Sequence, residues 1–124
     1  MIQGIGVDII EIQRIQSSID RFGETFLRKI FTDAEITYCR SRKSPSQHFA
    51  ARFAAKEAVS KALSTGWSGE FEWKNVEVMN ETSGKPKVIL HGTTARALEK
   101  SRVLLSLSHS ESSVVAFAII EVAD

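Results

Sequence analysis

Apolar positions change period several times along the chain, and each change marks an element. Ile2, Ile5, Val7, Ile9 and Ile10 are rich in β-branched residues and predict a strand over 2–10. Gly4 and Gly6 either weaken that strand or let another backbone come close. Ile12, Ile15, Ile19 and Phe22 then recur at helical spacing, up to Gly23. Thr32-Asp33-Ala34-Glu35 has the form of a capping box and starts a short helix through about Cys39. Ser44-Pro45 predicts an N-cap with proline at the first helical position, opening a long helix that runs to about Thr65 and ends at Gly66. Trp67 to Gly69 reads as a turn. Trp73, Val76 and Val78 predict a strand with a bulge or an irregular start, and Asn80–Pro86 a turn cluster. Strands follow at Lys87–His91, Val103–Ser108 and Val114–Val122, with a short helix from Ala95 to Lys100 capped by Thr93 or Thr94. Ser108–Ser113 joins the last two strands as a hairpin. The fold class is α+β: an antiparallel sheet with a long central helix packed across it.

The long helix holds the densest pattern. At about 3.6 residues per turn, Ala54, Ala55, Ala58, Val59, Ala62 and Leu63 fall in one arc. Arg52, Lys56, Glu57, Ser60 and Lys61 fall in the other, and Phe53 sits among the charges, where an amphipathic helix does not place a large aromatic. Two readings stay open. The charged arc is a solvated face with Glu57–Lys61 as an i,i+4 pair, or it is a ligand site. Asp8 poses a similar choice. A carboxylate inside an apolar strand needs a partner or a metal, and Asp8-Ile9-Ile10-Glu11 also has the spacing of a capping box.

Composition narrows the class. The 124 residues predict one domain, and 43% hydrophobic and 25% charged content are those of an ordinary globular protein. A net charge of +1 argues against bulk nucleic-acid binding. Cys39 is the sole cysteine, which excludes an intrachain disulfide and fits a reducing, cytoplasmic compartment. The N-terminal apolar run is broken by Asp8 and Glu11, so neither a signal peptide nor a membrane span is expected. Arg14 and Arg21 share one face of the first helix, and Arg28 joins them if the helix resumes after Gly23. They form either a basic stripe suited to an acidic partner or a solvated face, and Asp20 and Glu24 dilute it.

Gly6-Val7-Asp8-Ile9-Ile10-Glu11-Ile12, followed by Arg52-Phe53-Ala54-Ala55-Lys56-Glu57-Ala58 with Lys61-Ala62, resembles the signature pair of the phosphopantetheinyl transferases. The turn from Asn80 to Gly84-Lys85-Pro86 and the strand end Leu107-Ser108-His109-Ser110 resemble the small, holo-acyl-carrier-protein synthase branch. The resemblance runs from the first residues to the last strand and implies one phosphopantetheinyl transferase domain over 1–124. It implies transfer of the 4′-phosphopantetheine arm of coenzyme A to a serine of an acyl carrier protein, with release of adenosine 3′,5′-bisphosphate, a magnesium requirement and a role in fatty acid biosynthesis. It also implies a homotrimer with clefts between subunits.

Carried onto this chain, the resemblance makes Asp8 and Glu57 the metal carboxylates, with Glu57, Asp8 and Lys61 catalytic. Arg52 and Lys61 become phosphate ligands, and Phe53 and Gly66 line the coenzyme pocket. Arg42 and Lys43 take the ribose 3′-phosphate, while Asn80, Gly84, Lys85 and Pro86 approach the adenosine. Ser108, His109 and Ser110 close the phosphate side from a second subunit. The proton acceptor is Glu57, or a metal-ordered water relaying to Asp8 or Asp33. Lys56 reaches the same anions or solvent. Arg14, Arg21 and Arg28 meet an acidic carrier protein. His48 and His91 are read as structural or exposed. A coenzyme A or nucleotide binding trimer without catalysis, and a trimeric interaction protein, are the alternatives.

Overall fold

A computed structural model gives the architecture and describes residues 1–64 and 71–123. The expected turn at Trp67–Gly69 and the helix stop at Gly66 lie outside the described residues. β1 (Ile2–Glu11) pairs antiparallel with β5 (Ser113–Val122), and β5 pairs antiparallel with β4 (Ser101–His109), giving a three-stranded sheet in the order β1-β5-β4. β2 (Val76–Asn80) and β3 (Pro86–Leu90) form a separate antiparallel hairpin. The single sheet expected from the pattern is therefore two sheets among the described residues. Pairing between distant strands leaves no local trace in apolar spacing.

The long helix α4 (Pro45–Leu63) lies across β1 and β5. Its alanine arc is what lets it lie so close. A Cβ on Gly4 would stand 2.0 Å from the carbonyl oxygen of Ala62, and one on Gly6 would stand 1.9 Å from that of Ala58. Of the two roles open to these glycines, close backbone approach is the one they serve. On the same sheet face, Ala116, Ala118 and Ile120 of β5 are buried, so small residues on both partners bring strand and helix together.

The local predictions divide by how much they depend on distant contacts. The capping box at α3 (Asp33–Arg40) forms completely: Thr32 Oγ1 accepts from the Glu35 N–H, and Glu35 accepts from the Thr32 N–H. The Asp8–Glu11 box does not form. Asp8 lies within β1 opposite Ala116, and α1 (Ile12–Phe22) starts behind an extended Glu11 that makes no side-chain cap. Gly23, at φ 55°, separates α1 from α2 (Glu24–Ile30). Phe22 is not a core residue; it lies on the surface beneath the Arg21 guanidinium. A 3-10 turn at Trp73–Asn75 accounts for the irregular start of β2. α5 spans Gly92–Ala97 with His91 at its N-cap, earlier than the threonine-capped helix expected, because Thr94 is buried inside the first turns.

Candidate active site

The close approach of β1 to α4 builds the first half of the site. Side chains alternate along a strand, so Asp8 shares the helix-facing side with Gly4 and Gly6. That side brings it to Lys61, whose Nζ lies 3.1 Å from Asp8 Oδ1 and donates to the Val7 carbonyl at 3.0 Å. The i,i+4 pair between Glu57 and Lys61 is absent from the ion pairs of the described residues, because the ammonium turns to β1 instead. Glu57 stands close by. Burial raises its carboxyl pKa, the negative charge of Asp8 raises it further, and Lys61 partly offsets both. Two carboxylates from distant parts of the chain thus share one partly solvated corner with one lysine.

This donor set suits a hard cation. Magnesium takes oxygen ligands, commonly one or two carboxylates, with phosphate and water completing its shell. The repulsion between Asp8 and Glu57 is what such an ion relieves. No cluster of three or more His, Cys, Asp or Glu residues able to hold a metal occurs among the described residues.

The second half is a cleft of about 240 Å³ lined by Tyr38, His48, Arg52, Asn80, Gly84, Pro86, Ser108 and His109, among others. Arg52 is nearly buried. Its Nη2 donates to Asn80 Oδ1 at 2.8 Å, its Cζ lies 4.3 Å from the Tyr38 ring centroid, and its Nε has no partner. Asn80 in turn donates to the Gly84 carbonyl, which ties the β2–β3 turn to α4. Gly84 takes φ 90° there, a conformation that favours glycine. Burial lowers the His48 pKa, and the nearby Arg52, Arg42 and His109 lower it further. The cleft is an electropositive place.

The remaining candidate residues fall as follows. Phe53 stacks on Trp73 at 5.1 Å between centroids and 20° between planes, which explains an aromatic in the charged arc. Arg42 and Lys43 lie exposed in the loop after α3, with Arg42 Cζ 5.5 Å from the Tyr38 ring. Lys85 is exposed in the β2–β3 turn. Gly66 lies outside the described residues. Ser108 and His109 line the cleft within one chain. Ser110 accepts from the Ser112 and Ser113 N–H groups and shapes the hairpin tip. Arg14 and Arg21 are exposed on α1. Arg28, on the separate helix α2, is held by Glu24 and Asp33. That pairing also occupies Asp33 at the exposed start of α3.

Lys56 corrects the sequence reading. It points away from the anion site and is fully buried. Its Nζ lies 2.9 Å from Glu35 Oε1 and donates to the Trp73 carbonyl at 3.0 Å and to the Val76 carbonyl at 2.5 Å. Glu35 Oε2 accepts from the Val78 N–H at 2.8 Å. This pair fastens the Trp73–Val78 segment to α3 and α4, and so places both Trp73 and Asn80. His91 is not idle either: its Nε2 lies 3.0 Å from Glu77 Oε1. Sequence reasoning missed Tyr38, Glu35 and Trp73. Tyr38 and Arg42 do stand at i,i+4, a spacing that could have linked them.

A family model described as the 4′-phosphopantetheinyl transferase superfamily matches residues 4–118. The chain is similar to a holo-[acyl-carrier-protein] synthase of Chlorobaculum tepidum, with 50% identity over 117 residues that cover 94% of this chain and 97% of the relative. It is similar in structure to the holo-[acyl-carrier-protein] synthase of Neisseria meningitidis, at TM-score 0.88 and 37% identity over 98% of this chain and 99% of that one. The Bacillus anthracis holo-(acyl-carrier-protein) synthase in complex with CoA (3′,5′-ADP) gives TM-score 0.82 and 38% identity, covering 99% of each chain.

Proposed function

Because the chain belongs to the 4′-phosphopantetheinyl transferase superfamily, we propose that its two half-sites act together as a holo-acyl-carrier-protein synthase, in one domain over 1–124. The enzyme transfers the 4′-phosphopantetheine moiety of coenzyme A to a serine of an apo-acyl carrier protein. The serine oxygen forms a new bond to the phosphorus that carries the arm. The bond from that phosphorus to adenosine 3′,5′-bisphosphate breaks, the bisphosphate leaves with the bonding electron pair, and the hydroxyl proton passes to the Glu57 carboxylate or through a water to Asp8. The observation that carries this reading is the junction of Asp8, Glu57 and Lys61 on the closely packed β1–α4 pair.

Such a reaction depends on positioning and charge neutralisation more than on covalent help. Arg52, oriented by Asn80 and Tyr38, and Lys61, oriented by Asp8 and the Val7 carbonyl, supply fixed positive charge to the pyrophosphate. Asp8 and Glu57 hold magnesium, which supplies further neutralisation of the phosphates when bound. Arg42 and Lys43 take the ribose 3′-phosphate, and Asn80, Gly84, Lys85 and Pro86 enclose the adenosine end. Phe53, Ser108, His109 and Ser110 complete the coenzyme pocket. The exposed Arg14 and Arg21 receive the acidic carrier, with Arg28 weaker because its charge is already engaged.

We also propose a homotrimer. The outer face of the three-stranded sheet exposes Ile5, Val7, Ile9, Leu104 and Phe117. Apolar neighbours on adjacent strands, paired as Ile5 with Ile119, Val7 with Phe117 and Ile9 with Val115, make that patch continuous. A second and third copy of the chain are its occupants. No helix among the described residues is long and apolar enough to cross a membrane, and the place of action is the cytoplasm, in support of fatty acid synthesis.

The test is to incubate the protein with coenzyme A, magnesium and an apo-carrier, and to weigh the carrier. It gains the mass of one phosphopantetheine, and the gain is lost without magnesium. No gain across several carriers, with coenzyme A still raising the melting temperature, would make this a binding module instead.

A further inference from the structure

Tyr38 lies on α3, outside the residues assigned above to any phosphate, yet two guanidinium groups converge on its ring. Arg52 Cζ is 4.3 Å from the ring centroid and Arg42 Cζ is 5.5 Å from it. The two arginines belong to different elements: Arg52 to α4, Arg42 to the loop that follows α3. His48 meets the same ring edge-on, at 5.8 Å and 82°. Tyr38 is half-buried and forms part of the cleft wall, together with Arg52, Asn80 and His109. No carboxylate pairs with Arg42 or Arg52 among the described residues; the ring supports both cations, and Asn80 Oδ1 also accepts from Arg52.

A ring face attracts a cation without neutralising it. A carboxylate in the same place would hold the arginines but quench the positive charge that an anionic ligand needs. The ring also fixes direction, since a guanidinium stacked on it keeps its planar fork turned outward. We propose that Tyr38 is a specificity-determining residue: it holds the Arg42 and Arg52 guanidinium groups apart and in orientation, so that the cleft distinguishes coenzyme A from the same molecule lacking its ribose 3′-phosphate. This rests on the reading above, in which Arg42 takes that phosphate. Within it, Tyr38 is a positioning residue that acts through the two arginines and needs no contact with the nucleotide. Arg42 is exposed on a loop, and ordering a long side chain costs entropy that a preformed stack removes from the binding step.

The experiment compares kcat/KM for coenzyme A and for 3′-dephospho-coenzyme A, with a saturating apo-carrier and magnesium. Tyr38→Leu lowers the preference for coenzyme A about tenfold, mainly through KM, while the dephospho substrate changes by less than about threefold. Tyr38→Phe keeps the ring face and keeps the preference within about twofold. Tyr38→Met, apolar and without a ring, behaves like Tyr38→Leu and serves if the leucine variant does not fold. The preference is a ratio on one preparation, so partial unfolding lowers both substrates alike and leaves it unchanged. Equal losses on both substrates in Tyr38→Leu and Tyr38→Met would make Tyr38 a packing residue and overturn the proposal. So would a Tyr38→Phe variant as impaired as Tyr38→Leu. Arg42→Ala separates this from the underlying reading. If Arg42→Ala abolishes the preference and the Tyr38 variants do not, only the role of Tyr38 fails. If Arg42→Ala leaves the preference intact, the placement of the 3′-phosphate at Arg42 fails, and the role of Tyr38 falls with it.

Discussion

Helix α4 carries two lysines that each meet a carboxylate, and the two pairs are opposites. Lys56 and Glu35 lie 2.9 Å apart with both side chains fully buried. Every strong donor and acceptor there is engaged, by Trp73, Val76, Val78 and Thr32. Lys61 and Asp8 lie 3.1 Å apart, but the lysine side chain is 53% exposed and Glu57 adds a second negative charge beside the pair. The first pair is closed: it has no capacity left for a ligand. The second is open: it holds more negative charge than Lys61 balances and faces solvent. The stretch Arg52–Lys61 therefore presents two kinds of pair from one helix: Lys56 fastens the Trp73–Val78 segment, and Lys61 stands at an open, partly solvated corner.

The difference makes opposite predictions for the same substitution. Lys56→Met leaves the Glu35 carboxylate buried without its counter-charge, and removal of one partner from a buried pair costs about 3–5 kcal/mol. Urea denaturation measures this, and Glu35→Gln in the same background recovers part of the loss, because no charge then remains to be buried. A Lys56→Met protein of unchanged stability would show that the pair is not closed. Lys61→Met is the converse. Its partner stays partly solvated, so stability changes by less than about 1 kcal/mol. Turnover of carrier protein falls about a hundredfold, as expected when a fixed cation facing developing charge is removed. If Lys61→Met loses stability and activity together, the open pair is structural after all.

How much of this contrast could be read in the chain depends on how local each cause is. The capping box at Thr32 and Glu35 needs only its own turn, and it was legible. Most strands and the long helix were legible as well, while the bounds of α5 were not, and Gly4 and Gly6 left two roles open until the contact with Ala58 and Ala62 chose close approach. The junction of Asp8 with Glu57 and Lys61 was reached only through resemblance to a family, because nothing in the spacing of residues so far apart fixes which strand a helix covers. The direction of Lys56 was misread. A helical wheel assigns angles and not coverings, and the segment that covers Lys56 arrives from beyond the helix, at Trp73–Val78. Phe22 erred the other way, as an apolar residue in register that ends on the surface under Arg21. The division of the strands into two sheets was hidden for the same reason as Lys56: it is decided by non-local pairing.

Cys39 gives the gentlest probe of the closed region. It lies on α3, fully buried, near Glu35, Lys56 and Arg52. Burial pushes its thiol from an ordinary 9.0 up to about 12, with Glu35 adding to the rise and Arg52 and Lys56 opposing it. The folded value lies above the unfolded one. Its contribution to stability is therefore fully present below about pH 9 and is lost as pH rises toward about 12, because only the unfolded chain releases the proton in that window. Relative to Cys39→Ala, the protein loses about 1.4 kcal/mol per pH unit across it. At pH 8, in turn, iodoacetamide leaves native Cys39 unmodified and labels it once urea unfolds the chain. Labelling of the native protein at the rate of a free thiol would mean that α3 opens from α4 readily. The Glu35–Lys56 pair would then be exposed as often as the Asp8–Lys61 pair, and the contrast between a closed wall and an open site would reduce to one of average position.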